Sequence, residues 1–209
     1  MDDTLRRELL LVGFHHLAEN WEAILKEATR HRPSYHRFLQ AIVHEEYHRK
    51  TEKIRLARLK RAKIPQLFVM DTFPFHRQPR LKKQLVLQLY DSLSYMTEHQ
   101  DLIFIGPTGC GKTGLATAFL VHAVNQGFRG LFIDFSDLLE RLYRSRGEYN
   151  EAKVMRKYCA YDVMVIDEIG YIAAHKEQAG LFFDLMRRRH QRKTTIITTQ
   201  LLCAAAHSS

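Results

Sequence analysis

Apolar residues in the N-terminal third of the chain recur at the spacing of an α-helix. Between residues 3 and 30 they are Leu5, Leu9, Leu17, Trp21, Ile24 and Leu25, and Gly13 interrupts them. A longer helix is predicted to begin at Ser34, a residue type that caps helix N-termini, and to end at Pro65. These patterns predict an all-helical module over residues 1–64.

Prolines follow this module. Pro65, Pro74 and Pro79 stand in a stretch without a sustained helical period, so residues 65–80 are predicted to form a linker. A helical spacing returns between residues 81 and 96, where leucines recur at every fourth position. A second unit is therefore predicted to occupy residues 81–209.

The second unit has a different pattern, in which short apolar runs alternate with longer helical stretches. The runs are Leu102–Ile105, 131–133, 163–166 and 195–197. Apolar runs of strand length that are separated by helices are typical of a parallel sheet in an α/β domain. The predicted fold class is therefore α/β, with a parallel sheet flanked by helices.

A phosphate-binding motif follows the first of these strands. Residues 106–113 match the pattern GxxxxGK[ST], and a predicted helix comes directly after them. Glycines let the backbone curl so that its N–H groups point at phosphates, and Lys112 would neutralise the β- and γ-phosphates. The predicted nucleotide-binding residues are Gly106, Pro107, Thr108, Gly109, Cys110, Gly111, Lys112, Thr113 and Asp167.

Acidic and polar residues end two later strands. Asp167 would hold Mg²⁺ together with the Thr113 hydroxyl, and Glu168 would orient and deprotonate the attacking water. Gln200 could contact the γ-phosphate or that water, or else could simply cap its strand. The predicted catalytic residues are thus Lys112, Glu168 and Gln200, and the predicted metal ligands are Thr113 and Asp167.

Charge adds a candidate nucleic-acid surface. The formal net charge is +9 at pH 7, and basic residues are dense between positions 49 and 63, where Glu52 is the only acid. Such a cluster attracts polyanions, although a solvated helix face has the same composition. The predicted DNA-binding residues are Arg49, Lys50, Lys53, Arg55, Arg58, Lys60, Arg61 and Lys63.

Cysteine usage and hydropathy exclude several protein classes. Cys110, Cys159 and Cys203 lie far apart and form no CxxC pair, which argues against a disulfide framework and indicates a reducing compartment. No apolar run reaches the about 18 residues that a membrane span needs, and the chain opens with acidic residues rather than a secretory leader. The sequence therefore predicts a cytoplasmic protein.

A second motif points to a different chemistry. Residues 44–48 read His44-Glu45-Glu46-Tyr47-His48 and match HExxH, which on a helix places two imidazoles on one face for zinc. The extended form of that motif also has a third histidine, but this chain has Ile54 at the corresponding position. A zinc metallopeptidase is therefore a remote alternative, and otherwise these histidines add to a basic face.

Taken together, these residues resemble the IstB-like ATP-binding proteins, which are AAA+ helpers of insertion-sequence transposases related to DnaC helicase loaders. The resemblance extends to about residue 201. It rests on the phosphate loop at residues 106–113 and on the strand end at residues 165–171, which includes Asp167-Glu168-Ile169-Gly170-Tyr171. Further matches are the helix end Asn125-Gln126-Gly127, Arg189 ahead of the fourth strand, and the linker segments Pro65-Gln66-Leu67 and Phe73-Pro74-Phe75.

The resemblance implies a P-loop NTPase fold of the AAA+ type, with ATP and Mg²⁺ as cofactors. It also implies ATP-dependent self-assembly on double-stranded DNA and regulation of a partner transposase. A helicase loader in DNA replication, with a replicative helicase as partner, is the alternative. A nucleotide-gated clamp with negligible turnover is a third hypothesis.

Two departures from the family bear on hydrolysis. Family members usually have asparagine at the sensing position, where this chain has Gln200. The family also continues into a segment that supplies an arginine finger and a second arginine sensor, whereas residues 201–209 resemble neither. We therefore expect a truncated or frame-shifted copy in which ATP binding survives but hydrolysis and oligomer assembly are impaired.

Overall fold

The computed structural model describes residues 1–170 and 175–200. The helices are α1 (Asp3–Val12), α2 (His15–Glu19), α3 (Trp21–His31), α4 (Tyr35–Arg61), α5 (Lys83–Ser92), α6 (Ser94–Thr97), α7 (Lys112–Asn125), α8 (Phe135–Gly147), α9 (Glu151–Cys159) and α10 (Lys176–Arg189). The strands are β1 (Leu102–Ile105), β2 (Gly130–Asp134), β3 (Val163–Ile169) and β4 (Thr194–Thr199). Two short 3₁₀ helices, Met70–Thr72 and Phe75–Arg77, precede α5. No helix in these described ranges is long and apolar enough to cross a membrane.

The chain divides into two compact units, residues 1–57 and 58–209, and the boundary lies within α4. In the first unit, the Asp2 side chain accepts a hydrogen bond from the Leu5 backbone N–H at 2.7 Å and so caps α1. Gly13 ends this helix in the left-handed conformation, with φ 89°. The Glu46 carboxylate of α4 accepts the backbone N–H of Leu17, which fixes α2 against α4.

The second unit is built on a parallel four-stranded sheet in the order β1-β4-β3-β2. Side chains of β3 alternate between its two faces, as the geometry of a strand requires. Val163 and Val165 pack with α7 on one face, while Met164 and Ile166 pack with α8 and α10 on the other. The predicted α/β class with a parallel sheet is confirmed by this topology.

Residues 65–80, predicted as a linker, contribute to the core of the second unit. Phe68, Phe73 and Phe75 pack against the cluster that contains Leu115 and Phe119 of α7. This packing attaches the segment to the helix that follows the phosphate-binding motif.

The helix predicted over residues 81–96 is divided in the structure. It begins at Lys83 and is interrupted at Leu93, whose φ of 52° lies in the left-handed region, so a short α6 follows α5. Burial explains the break, because Tyr95 and Met96 of α6 are turned into the core that α7 forms. The leucine spacing alone did not signal this turn.

Candidate nucleotide-binding site

The phosphate-binding motif connects the end of β1 to the start of α7, as the sequence predicted. Gly109 and Gly111 adopt positive φ values of 77° and 90°, which residues with side chains rarely adopt. A Cβ at Gly111 would also lie 3.1 Å from the Phe73 ring. The loop conformation therefore requires both glycines, and the packing of Phe73 also requires Gly111.

Lys112 folds back over the loop that precedes it. Its Nζ donates hydrogen bonds to the carbonyl oxygens of Gly106 and Pro107, both at 2.8 Å. The ammonium group is thus held over the curl of backbone where the motif would receive phosphates. An anion bound there would gain a charge-assisted hydrogen bond from this side chain.

Thr113 and Asp167, which are far apart in the sequence, meet at this edge of the sheet. The Thr113 hydroxyl donates to the Asp167 carboxylate at 3.2 Å, and Asp167 is only 5% exposed. A hydroxyl and a carboxylate are both hard oxygen ligands of the kind that Mg²⁺ prefers. The residues predicted to hold Mg²⁺ therefore lie together and match its chemistry.

Glu168 is exposed, whereas its neighbour Asp167 is buried. The pairing of β3 with β4 is irregular between Ile166 and Ile169, and Glu168 has a φ of 63°. This bulge directs the Glu168 side chain out of the sheet at the end of β3, so its carboxylate is open to solvent.

Thr198 was not predicted as a site residue from the sequence, yet it bonds to both Asp167 and Glu168. Its hydroxyl donates to the Asp167 carboxylate and accepts the backbone N–H of Glu168 at 3.0 Å. Thr198 is 1% exposed, so these bonds are shielded from water. The only signal in the sequence was a pair of threonines at the end of an apolar strand.

Gln200 lies against the phosphate loop. Its side-chain amide donates a hydrogen bond to the Thr108 hydroxyl, and the Gly106 backbone N–H donates to the carbonyl of Thr199 at 3.2 Å. The end of β4 is therefore connected to the loop at two points. This position allows Gln200 to respond to a bound phosphate, and its predicted sensing role stays a prediction.

The predicted DNA-binding residues lie on α4, except Lys63, which follows it. Arg49 pairs with Glu45 at 2.5 Å, and Arg55 pairs with Glu52 at 2.6 Å. The exposed members of the group are Arg49, Lys50, Lys53, Lys60, Arg61 and Lys63, while Arg55 and Arg58 are half-buried. A helix can present several of these cations to a polyanion at once.

In the HExxH motif on α4, His44, Tyr47 and His48 are exposed, whereas Glu45 and Glu46 are half-buried. The Nε2 atoms of His44 and His48 are 2.9 Å apart, and the Glu45 carboxylate is bonded to Arg49. Across residues 1–170 and 175–200, no group of three or more His, Cys, Asp or Glu side chains is arranged to hold a metal ion. The zinc-peptidase alternative therefore gains no third ligand from the described chain.

Arg189, one of the residues on which the family resemblance rests, is fully buried. Its guanidinium donates to the carbonyl oxygens of Tyr158, Tyr161 and Thr194, at 2.8, 2.9 and 2.6 Å. It also donates to the Thr195 hydroxyl at 3.2 Å. Arg189 thus connects three chain segments at the edge of the sheet opposite the phosphate loop.

Two predicted features lie outside the described residues. Tyr171 is the last residue of the motif that begins at Asp167, and Cys203 lies in the tail over residues 201–209.

Comparison with known proteins identifies relatives of this chain. A family model described as IstB-like ATP binding protein matches residues 7–208. An insertion sequence IS21 putative ATP-binding protein from Pseudomonas aeruginosa is 31% identical over 194 residues, covering 92% of this chain and 73% of that protein. An insertion sequence IS5376 putative ATP-binding protein from Geobacillus stearothermophilus is also 31% identical, covering 84% of this chain and 69% of the relative.

Two solved structures share the fold of about two thirds of this chain. The DnaC helicase loader superposes with a TM-score of 0.52 and 25% identity, over 69% of this chain and 80% of that one. AMPPCP-bound DnaA from Aquifex aeolicus superposes with a TM-score of 0.56 and 17% identity, over 66% of this chain and 43% of DnaA. The chain spans less than half of DnaA. These likenesses show that its fold is that of an AAA+ P-loop NTPase.

Proposed function

This chain belongs to the family of IstB-like ATP-binding proteins, and on that premise we propose that it is the ATP-binding helper of an insertion-sequence transposase. In this role it binds Mg·ATP, associates with duplex DNA and regulates the transposase. The contact between Thr113 and Asp167 carries the proposal, because it brings the metal-binding pair together at the phosphate loop. The relatives, described as insertion-sequence ATP-binding proteins, support the same role.

Each residue of the site has a part in this proposal. The backbone N–H groups of the loop and the Lys112 ammonium bind the phosphates, while Thr113 and Asp167 hold the cation. Mg²⁺, when bound, neutralises charge on the phosphate oxygens. Thr198 fixes the orientation of Asp167 and the backbone at Glu168, whose carboxylate orients the attacking water and takes up its proton.

Hydrolysis by the isolated chain is slow in this proposal. Lys112 is a cation that bonds directly to the phosphate loop, and a transition state that develops further charge needs another cation beside the γ-phosphate. Arg189 is buried, and Arg187 and Arg188 both bond to Asp184 at 2.6 and 2.7 Å. These arginines stand at the end of α10, ahead of β4, so they lie at the sheet edge opposite the phosphate loop.

We expect phosphate release by the isolated chain to stay near background, with or without duplex DNA. An arginine finger is worth roughly a thousandfold or more in turnover, and Arg187, Arg188 and Arg189 of α10 are not placed to act as one on the nucleotide of their own chain. The measurement is phosphate release at saturating Mg·ATP, beside a Glu168→Gln control. Fast release that DNA stimulates and that the control lacks would show that another group supplies the missing charge.

Duplex binding depends on the cations of α4 in this proposal. We expect Lys53→Ala, Lys60→Ala and Arg61→Ala combined to weaken binding and to lower the slope of log affinity against log salt by about three, roughly one per lost phosphate contact. The measurement is fluorescence anisotropy with a labelled duplex at several salt concentrations.

The matched control removes the same charge outside α4. Lys26 and Arg30 of α3 and Arg32, which follows it, are exposed, and their replacement by alanine should leave the salt slope close to that of the unchanged chain. Equal losses in both triple variants would mean that total charge, not the α4 cluster, attracts DNA.

A helicase loader is the second candidate function. It is favoured by the similarity to the DnaC helicase loader, of which this chain covers 80%. The two functions differ in polymer preference, since a loader acting at opened DNA would bind single strands in preference to duplex. Competition between labelled duplex and an unlabelled single strand of the same length separates them.

A further inference from the structure

Asp134 is a carboxylate beside the nucleotide site that the sequence patterns did not single out. It ends β2 and pairs in register with Asp167 of β3. Because adjacent strands lie about 5 Å apart and side chains alternate between faces, these register partners lie side by side on the same face. That face is the one where Phe132 and Val165 pack with α7, whose first turn contains Thr113.

Asp134 also stands at the N-cap of α8 but does not cap it. Its backbone has the extended conformation of an N-cap residue, with φ −70° and ψ 144°, yet its side chain makes no capping hydrogen bond. Aspartate is among the most favoured N-cap residues because its carboxylate accepts a backbone N–H from the first turn. The side chain is therefore not engaged by the helix that it precedes.

A cavity of about 430 Å³ lies at this point, and Asp134, Thr113 and Asp167 line part of its wall. Lys63, Arg141 and Lys157 line other parts. Within the described ranges of the chain, none of these three cations forms an ion pair with Asp134.

The local charge is consistent with this geometry. Asp134 is exposed, yet partial desolvation raises its pKa, and the nearby carboxylates of Asp167 and Asp137 raise it further. Two adjacent carboxylates repel each other unless a cation lies close to both.

We propose that Asp134 is a positioning residue for the divalent cation of the nucleotide site, with its carboxylate stabilising the cation that Thr113 and Asp167 hold. The inference rests on the proposed function, because it requires Mg·ATP at this site. Mg²⁺ keeps several of its water ligands in proteins, so a carboxylate outside the direct ligands can still accept hydrogen bonds from them. Asp134 thereby increases the dependence of nucleotide binding on Mg²⁺.

The test uses Asp134→Asn, which removes the negative charge of the side chain and keeps its shape. With a fluorescent ATP analogue, the Mg²⁺ concentration at half-saturation should rise roughly threefold to fivefold, the range for losing one partly exposed charge interaction. In EDTA the same variant should bind the analogue more tightly than the unchanged chain, because a negative charge near the triphosphate is gone. A merely structural role would weaken binding in both conditions.

Two further variants keep the result interpretable. Asp134→Glu retains the charge and should show the Mg²⁺ dependence of the unchanged chain. Glu140→Gln removes an exposed carboxylate of α8 that pairs with Arg144 and does not line this cavity, and it should also leave that dependence unchanged.

The outcomes separate this inference from the function on which it rests. Nucleotide binding by the unchanged chain, with the same Mg²⁺ dependence in Asp134→Asn, would overturn the role of Asp134 alone. An unchanged chain that binds no nucleotide would overturn both. Thermal unfolding of each variant shows whether it is folded.

Discussion

Lys112→Ala is expected to abolish ATP binding at concentrations where the unchanged chain is saturated, with Kd raised at least about 100-fold. The ammonium is the cation held over the phosphate loop, where it bonds to the carbonyls of Gly106 and Pro107. Loss of a hydrogen bond to a charged partner costs on the order of 3 kcal/mol, which corresponds to a factor of about 100 in Kd. The measurement is titration of a fluorescent ATP analogue in excess Mg²⁺.

Lys153→Ala is a suitable control, because Lys153 is an exposed lysine of α9 and should bind the analogue as before. The Lys112 bonds also stabilise the loop itself, so near-native thermal unfolding of Lys112→Ala must accompany the loss of binding. Unchanged affinity in a folded Lys112→Ala would refute the assignment of residues 106–113 as the phosphate site.

Much of the nucleotide site could be predicted because most of its phosphate-binding residues are adjacent in the sequence. A loop that wraps phosphates needs closely spaced glycines, a lysine and a hydroxyl, and residues 106–113 supply them in order. The acids at the end of β3 were predictable for a similar reason, since the carboxyl ends of parallel strands share one edge of the sheet. The structure places Thr113 and Asp167 in contact at that edge.

The residues that were missed act through contacts between distant segments. Thr198 organises Asp167 from another strand, and Asp134 approaches it from a third. The conformation of Leu93 likewise depends on the packing of α6 against α7. A local sequence pattern does not show which strands are neighbours. The roles of Thr198 and Asp134 could therefore be recognised only once the strand order was known.

The role of Arg189 could not be predicted from the sequence either. Its position ahead of β4 is compatible with an arginine finger or with a structural role. Burial lowers the pKa of its guanidinium to about 10, so the group is still charged at neutral pH. A buried charge is tolerated only when its donors are satisfied, and the three carbonyls and one hydroxyl around Arg189 do this. The guanidinium in turn satisfies the carbonyls of Tyr158 and Tyr161 at the end of α9.

Arg189→Met is therefore expected to lower the free energy of unfolding by about 3 kcal/mol, since it leaves several buried carbonyls without a donor. For a chain of this size that loss corresponds to a fall in Tm of roughly 6–12 °C. The measurement is thermal or urea unfolding. Arg188→Met is the matched control, because Arg188 is exposed and bonds to Asp184, and it should cost less than about 1 kcal/mol. An Arg189→Met protein with unchanged Tm would contradict this structural role of Arg189.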